Sequence, residues 1–545
     1  MRSPLRRLLL LLATLALPVL VAIHAPLSLL AANKTEVLAS EALRSLGLLT
    51  LAALLLTVVL AGLFRDLAKG ALAAAVVLLV TLSYGHLYNI LKPVQIAGLL
   101  IGRHRFLLPA GLAVIGVGLI ALARSRKALG PVVARLSLAA AAVLSVTVLP
   151  VVTYASRQAD VAPASAEVFT RDPANPEASA EELPDIYYII LDAHGRADTL
   201  RAVYGYDNTA FLDSLRRLGF YVADRSMSNY SQTALSLAST LNMTYLTELA
   251  ESMGADSDDR RPAERMLNDS QVVRLAKDLG YRIVVYEAAA GFESLENADV
   301  TLAPTFDENR QEFALLSGLS LSPFEGMLLE TTIGRVLFDF HVQRQNRLTP
   351  LYSDFHYQKH RLRILYQFES LPQIAEDPAP TFTFVHVMAP HPPFVFGAHG
   401  EEVPNAEAFS LQDVGCCSKQ AYIEGYAAQI VYIDKLVEQT MAEILETSPE
   451  LPIILLQGDH GPGANLDWRA PTDLGRLERM SILNAYLVPE HCRPELYPEI
   501  SPVNSFRVVL GSCLGQAYPL LADESLFSTY WRPYDFVRVE NEQLE

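Results

Sequence analysis

The chain predicts two bodies of different class: an N-terminal all-α transmembrane bundle of five helices, and a C-terminal α/β domain whose mostly parallel sheet is sandwiched by helices. Three observations carry this expectation. Residues 1–155 hold 14 Lys and Arg against 3 Asp and Glu, while the rest of the 545-residue chain is strongly acidic and brings the net charge to −17. Five apolar stretches of membrane-spanning length crowd the basic part. In the acidic part, short unbroken apolar runs alternate with helical patterns, as they do when parallel strands are buried on both faces.

The apolar stretches lie near 7–31, 45–64, 71–91, 106–123 and 132–154, and each can cross a hydrocarbon core about 30 Å thick. Arg2, Arg6 and Arg7 ahead of the first run resemble a signal peptide, but the length of the run and the four spans after it predict an uncleaved anchor. With the N-terminus in the cytoplasm, Arg2, Arg6, Arg7, Arg65, Lys69, Arg124, Arg126, Lys127 and Arg135 lie inside, against Lys34, Arg44, Lys92, Arg103 and Arg105 outside. That bias sets the orientation, and an odd number of spans puts everything after residue 155 outside. The expected location is the cell (inner) membrane, multi-pass, with the C-terminal domain on the periplasmic or extracellular side. Few acidic residues interrupt the spans, so nothing in them suggests an ion pathway. The expected divisions are a transmembrane domain over 1–154, a linker over 155–184 rich in Ala, Pro, Glu and Ser, and an extracytoplasmic domain over 185–545. The acidic balance of that domain argues against nucleic acid as a partner. Its four cysteines, Cys416, Cys417, Cys492 and Cys513, form no C-x-x-C pair, which argues against a structural zinc site. One or two disulfides, or four free thiols, are open readings.

Ile186–Leu191 is a buried-type strand that ends in Asp192-Ala193-His194-Gly195. Residues 208–218 have helical spacing, and Gly219-Phe220-Tyr221-Val222 reads as a short strand. At 229–242, hydroxyl residues precede an apolar helical pattern, the layout of a helix N-terminus. A hydroxyl there, Thr233 above all, sits beside unpaired backbone N–H groups and suits an oxygen nucleophile facing a phosphate or sulfate. Plain N-capping by Ser231 or Thr233 is the competing reading. Residues 251–266 read as a charged loop, followed by a helix over 269–279 and a strand over 281–286. Thr381–Val387 is a further buried strand, with His386 at its end and His391 in the Pro-rich turn beyond. A helix over 420–446 leads into the run Ile453–Leu456, closed by Gly458-Asp459-His460-Gly461. Residues 478–489 read as one more strand with Arg479 ahead of it. Asp192, Asp459 and His460 thus stand at the carboxyl ends of strands, the rim where α/β sheets bind ligands. A carboxylate beside an imidazole is a usual donor pair for a divalent metal.

The order Asp192, Thr233-Ala234-Leu235-Ser236, His386 with His391, and Asp459-His460-Gly461 resembles the alkaline phosphatase/sulfatase superfamily. Within it the architecture is similar to membrane-anchored lipoteichoic acid synthases and phosphoethanolamine transferases, which also carry five spans and an outer catalytic domain. The resemblance implies an alkaline phosphatase-like fold, a divalent cofactor (Mn, Zn or Mg) on Asp192, Thr233, Asp459 and His460, and Thr233 as nucleophile. It implies that His386 and His391 contact substrate or a second metal, and that the partners are the lipid bilayer and a phospholipid or another envelope phosphate or sulfate ester. The implied reaction moves a phosphoryl-alcohol group, of the phosphoglycerol or phosphoethanolamine type, from a phospholipid to an envelope acceptor through a covalent phospho-threonine. The alternatives are an extracytoplasmic phosphodiesterase or sulfuric-ester hydrolase, and a non-catalytic envelope protein that keeps the fold. The sequence departs from the family in five respects, one being that the cysteines flanking the nucleophile in phosphoethanolamine transferases are absent. The formylglycine motif C/S-x-P-x-R is absent around Thr233, and Ala238 stands where the transferases have Pro. Ala193 and His194 follow Asp192 in place of a second acid, and no histidine soon after His460 matches the one the transferases use.

Overall fold

The computed structural model describes residues 4–32, 42–91, 94–96, 99–159, 183–287, 295, 297–304, 323–336, 353–403, 411–516 and 518–544. Most of the expected linker lies outside these residues. The chain divides into two compact units, one of residues 1–163 and 307–349, the other of 164–306 and 350–545.

The first unit holds helices α1 (Pro4–Ala32), α2 (Ala42–Phe64), α3 (Leu67–Leu91), α4 (His104–Arg124) and α5 (Gly130–Ala159), with a small hairpin of β1 (Gln95–Ile96) and β2 (Leu99–Leu100) before α4. All five helices are long and apolar enough to cross a membrane. Small residues let them approach closely: a Cβ on Gly70 of α3 would lie 2.5 Å from Ala61, and Ala71, Ala73 and Ala74 are fully buried. A short helix, Pro323–Thr331, belongs to this unit although 143 residues of the other unit, 164–306, precede it in the sequence. Its Phe324 is buried with Leu30 and Ala42. Glu325 accepts from Arg44 Nε at 2.6 Å, and Ile333 N–H donates to the Thr81 carbonyl at 2.8 Å.

The second unit is built on a seven-stranded sheet of β3 (Ile186–Leu191), β4 (Tyr221–Val222), β5 (Arg282–Tyr286), β6 (Val300–Leu302), β7 (Thr381–Val387), β8 (Ile453–Gln457) and β9 (Asn484–Leu487). Their order is β4-β9-β8-β3-β7-β5-β6. The five strands from β8 to β6 run parallel, and β9 turns antiparallel to β8. β3, β7 and β8 are buried along their whole length, which is why each reads as a mainly apolar run instead of an apolar/polar alternation with one solvated face. Alternate residues serve opposite faces. Ile186, Tyr188 and Ile190 pack on the helix Thr233–Asn242 through Leu235, Leu237 and Leu241. Tyr187, Ile189 and Leu191 pack on the helix Lys419–Thr447 through Ile433, Val437 and Met441. The result is the expected sheet sandwiched by helices.

Some local expectations change. The stretch read as a charged loop carries two helices, Thr247–Met253 and Arg261–Asn268. Gly219 and Phe220 precede the strand instead of belonging to it, and Arg479 closes a helix, Asp473–Met480, ahead of β9. Beyond residue 500 the chain forms an antiparallel hairpin of β10 (Leu526–Thr529) and β11 (Arg532–Arg538). Cys492 and Cys513 are bonded, with Cα atoms 5.2 Å apart, and the adjacent Cys416 and Cys417 are free.

Candidate metal centre and nucleophile

Strand register gathers the site. Ile190 of β3 pairs with Gln457 of β8 and with His386 of β7. Asp192 and Asp459 each lie two residues past that Ile190–Gln457 rung, so they emerge side by side. The period-two alternation points them, with His386, to the face covered by the helix Thr233–Asn242. The ladder continues past β3, since Asp192 N–H donates to the Val387 carbonyl at 2.9 Å and His391 N–H to the Asp192 carbonyl at 3.1 Å. Ala193 then takes a left-handed conformation, φ 62°, and its N–H reaches Asp459 Oδ1 at 3.2 Å. An alanine rarely adopts that geometry unless its surroundings impose it. Here Tyr426 straddles the turn: its hydroxyl donates to the Ala193 carbonyl at 2.8 Å and accepts from Gly195 N–H at 3.2 Å. His194, standing where the family has a second acid, points away from the cluster, with Nε2 2.8 Å from Asp434 Oδ1.

The glycines beside His460 serve close backbone approach. A Cβ on Gly461 would lie 2.2 Å from the Glu478 carbonyl, and one on Gly458 would lie 2.6 Å from that of His194.

Ligand atoms of Asp192, Asp459 and His460 lie within 4.8 Å of one another, all buried. His460 Nε2 is 3.7 Å from Asp192 Oδ1 and 3.3 Å from Asp459 Oδ2. Those two carboxylate oxygens are buried with no hydrogen-bond partner. Two orphaned acceptors around an imidazole nitrogen make a donor set that suits a divalent cation, which would satisfy both. The imidazole is prepared for such a role. Its Nδ1 lies 3.1 Å from the Gly461 carbonyl, which fixes the proton there and turns the Nε2 lone pair inward. Burial, and then Arg479, hold the His460 pKa below its ordinary value, so the ring is neutral. Burial alone would raise the Asp192 carboxyl, but His391 and the hydrogen bond from His386 outweigh it and lower its pKa.

Thr233 is the first residue of its helix. The N-cap is Gln232, whose side chain makes no capping bond. Ser231 is likewise no cap, because its hydroxyl donates to the Ser528 carbonyl at 2.8 Å. The capping reading therefore gives way, and Thr233 Oγ1 stands 3.3 Å from His460 Nε2 at the positive end of the helix. Ser228 and Ser236 hydroxyls donate to the Asp459 carbonyl at 2.6 and 2.7 Å, tying the helix to the end of β8. His386 Nε2 lies 3.0 Å from Asp192 Oδ2. His391 is buried beside them, and its Nδ1 bonds the Pro392 carbonyl. All six expected residues thus fall in one region, with His391 the only one lacking a direct side-chain contact to the others among the described bonds.

Sequence reasoning missed Asp413. Arg479, read from the sequence as a basic residue ahead of a strand that could bind an anion, is buried, donates to Ser231 O at 2.9 Å and Gly461 O at 3.2 Å, and has its Nη2 2.9 Å from His460 Nε2. It also pairs with Asp413, which accepts from the Tyr422 hydroxyl at 2.6 Å. Burial works against the Arg479 cation, but Asp413 and its other neighbours raise its pKa.

A buried carboxylate–imidazole cluster thus lies at the carboxyl rim of a parallel sheet in an α/β domain, facing a hydroxyl at a helix N-terminus. A family model described as Sulfatase matches residues 184–475. The chain belongs to the sulfatase family. No curated protein matches it. Among solved structures, the C-terminal periplasmic domain of EcEptC from Escherichia coli is similar at 11% identity and TM-score 0.39, over 68% of this chain and 94% of that one. The integral membrane lipooligosaccharide phosphoethanolamine transferase A (EptA) from Neisseria meningitidis is similar at 12% identity and TM-score 0.39, over 92% and 94%. The lipoteichoic acid synthase LtaP from Listeria monocytogenes is similar at 13% identity and TM-score 0.34, over 66% and 76%.

Proposed function

We propose that the protein is a metal-dependent transferase that moves a phosphoryl-alcohol group from a phospholipid to an envelope acceptor through a phospho-threonine, on the outer side of the membrane. The observation that carries this reading is Thr233 Oγ1 at the uncapped N-terminus of its helix, 3.3 Å from His460 Nε2 and beside the unpartnered oxygens of Asp192 and Asp459. A divalent cation such as Mn²⁺, Zn²⁺ or Mg²⁺, held by Asp192, Asp459, His460 and Thr233, would supply a lowered hydroxyl pKa and offset charge on the transferred group.

In the first step the Thr233 oxygen attacks phosphorus. The Thr233 Oγ–P bond forms as the hydroxyl gives its proton to water, the bond to the diacylglycerol oxygen breaks, and that oxygen takes a proton. His386 and His391 are the candidates for supplying it. With Nδ1 of His391 bonded to the Pro392 carbonyl, its Nε2 is the nitrogen that exchanges protons. The helix N-terminus favours the anionic equatorial oxygens. In the second step the acceptor alcohol attacks, the Thr233 Oγ–P bond breaks, and Thr233 recovers its proton. Support for the outer location comes from the basic bias of the loops and from the Cys492–Cys513 disulfide, a bond typical of oxidising compartments.

The test is the full chain in detergent with labelled phosphatidylglycerol or phosphatidylethanolamine and divalent metal. Diacylglycerol release, with the label trapped on Thr233 by mass spectrometry, is expected, and Thr233→Ala should abolish both. Release that survives Thr233→Ala, or label found on Ser231, would overturn the assignment. Turnover of sulfate esters with none of phospholipid would favour the hydrolase alternative.

A further inference from the structure

Cys416 and Cys417 are free thiols on adjacent residues, with their Sγ atoms 3.0 Å apart. Cys417 is exposed, and Cys416 is half-buried against Tyr204, Tyr422 and Tyr426. They end a tight turn, in which Cys416 N–H donates to the Asp413 carbonyl at 3.1 Å and Gly415 takes φ 88°. The residue that accepts this bond is also the one that anchors Arg479. The buried Asp413 carboxylate pairs with the guanidinium and accepts from the Tyr422 hydroxyl at 2.6 Å. Arg479 Nη2 in turn stands 2.9 Å from His460 Nε2. On the other side of the thiols, the Ser418 hydroxyl caps the long helix Lys419–Thr447 by accepting from Ala421 N–H at 3.3 Å. One end of the turn is therefore fixed to a helix, and the other holds a charge against the candidate metal ligand.

We propose that Cys416 and Cys417 are a reversible oxidation site: a disulfide-bearing oxidant joins them, and the turn that rearranges loosens Asp413 from Arg479. The exposed Cys417 thiolate attacks the incoming disulfide, so a Cys417–oxidant bond forms and the oxidant releases its first sulfur as a thiolate. Cys416 then loses its proton to water and its sulfur attacks Cys417 Sγ, which releases the second oxidant sulfur. Two protein thiols are oxidised and one disulfide is reduced to two thiols. An oxidant of this class is what the Cys492–Cys513 bond of the same unit also requires. Adjacent Cα atoms lie about 3.8 Å apart across a trans peptide, short of the roughly 4.4–6.8 Å that disulfides ordinarily span. The small ring therefore needs a different backbone at Cys416, whose N–H now bonds Asp413. With the helix side capped, the change passes to 413–415. The same constraint makes the closed pair easier to reduce than Cys492–Cys513, whose Cα atoms are 5.2 Å apart.

The test treats the full-length protein in detergent with glutathione disulfide and follows it by peptide mass spectrometry and amide hydrogen exchange. The peptide bearing Cys416 and Cys417 should lose two hydrogens and keep no glutathione. A dithiol reductant should reopen it at a concentration at least tenfold below that which opens Cys492–Cys513. Closing the pair should speed exchange threefold or more in 411–418 and in the Arg479 helix, 473–480, and leave β3, 186–191, unchanged. The double variant Cys416→Ser/Cys417→Ser should keep the reduced pattern in the presence of oxidant. Unreacted thiols, a lasting glutathione adduct, a bond between two chains, or closure with exchange at 473–480 unaltered would each overturn the proposal. So would the same acceleration in the double variant. None of these measurements needs metal or turnover, so they stand apart from the transferase reading.

Discussion

Asp459→Asn should leave the metal-free protein as stable as the wild type, or more so, while removing its stabilisation by a divalent cation. Asp192 and Asp459 bring two carboxylates to one end of the sheet, and each buries an oxygen without a hydrogen-bond partner. An unsatisfied buried acceptor costs about 1–3 kcal/mol. The amide keeps an oxygen for the Ala193 N–H, now 3.2 Å from Asp459 Oδ1. It also replaces the unpartnered Oδ2, 3.3 Å from His460 Nε2, and removes one of the two buried negative charges. The metal-free variant should therefore gain about 1 kcal/mol. A bound cation stabilises the wild type by about 2.7 kcal/mol at a hundredfold excess over Kd. With roughly 2–4 °C per kcal/mol for domains of this size range, the wild type should rise by roughly 5–10 °C and the variant hardly at all. The assay is thermal unfolding of chelator-treated protein, titrated with Mn²⁺, Zn²⁺ or Mg²⁺. A variant that melts well below the wild type in chelator, yet still rises with cation, would refute the reasoning. The carboxylates would then be structural.

Arg479→Met leaves Asp413 buried with Tyr422 as its remaining side-chain partner among the described residues, and should cost about 3–5 kcal/mol. Adding Asp413→Asn should recover about 2 kcal/mol, read as the coupling in a double-mutant denaturation cycle. Gly461→Ala puts a methyl 2.2 Å from the Glu478 carbonyl, so it should destabilise by about 2 kcal/mol or more and abolish the cation-dependent rise in melting temperature. Burial raises the Asp198 carboxyl, but the Arg196 guanidinium, 2.7 Å away, outweighs this and lowers its pKa. Its contribution is therefore present above the unfolded carboxylate pKa, near 4, and lost as pH falls through the folded value. Asp198→Asn should flatten that acid limb of the stability profile, as measured by denaturant unfolding from pH 6 to pH 3.

The parts of the domain legible in the sequence are those where burial is two-sided. β3, β7 and β8 lie between helices, so their residues are mostly apolar, and the polar residues at their carboxyl ends mark the rim. That places Asp192, His386 and Asp459 at the rim before any fold is known. Alternation does the rest, since all three share the parity of the face on which the Thr233 helix packs. The helices Thr247–Met253 and Arg261–Asn268 were illegible because they span two turns and bury few residues, too few for a period to emerge. Asp413 and Arg479 are 66 positions apart, and nothing local in either segment records that they meet. The same holds for Cys492 and Cys513, where the sequence offers the thiols and only the fold chooses the pair.

The helix Pro323–Thr331 belongs to the unit of the membrane helices, so the chain passes between the two units three times, near 163, 306 and 349. A soluble version begun simply after the N-terminal spans would carry away a piece of the other body. It would present to water Phe324, buried at 0% exposure in the full chain, and leave Glu325 without Arg44. Expression of the second unit by itself therefore calls for excision of 307–349 and a splice of its two ends, and a single proteolytic nick at any one crossing would leave the two bodies covalently joined.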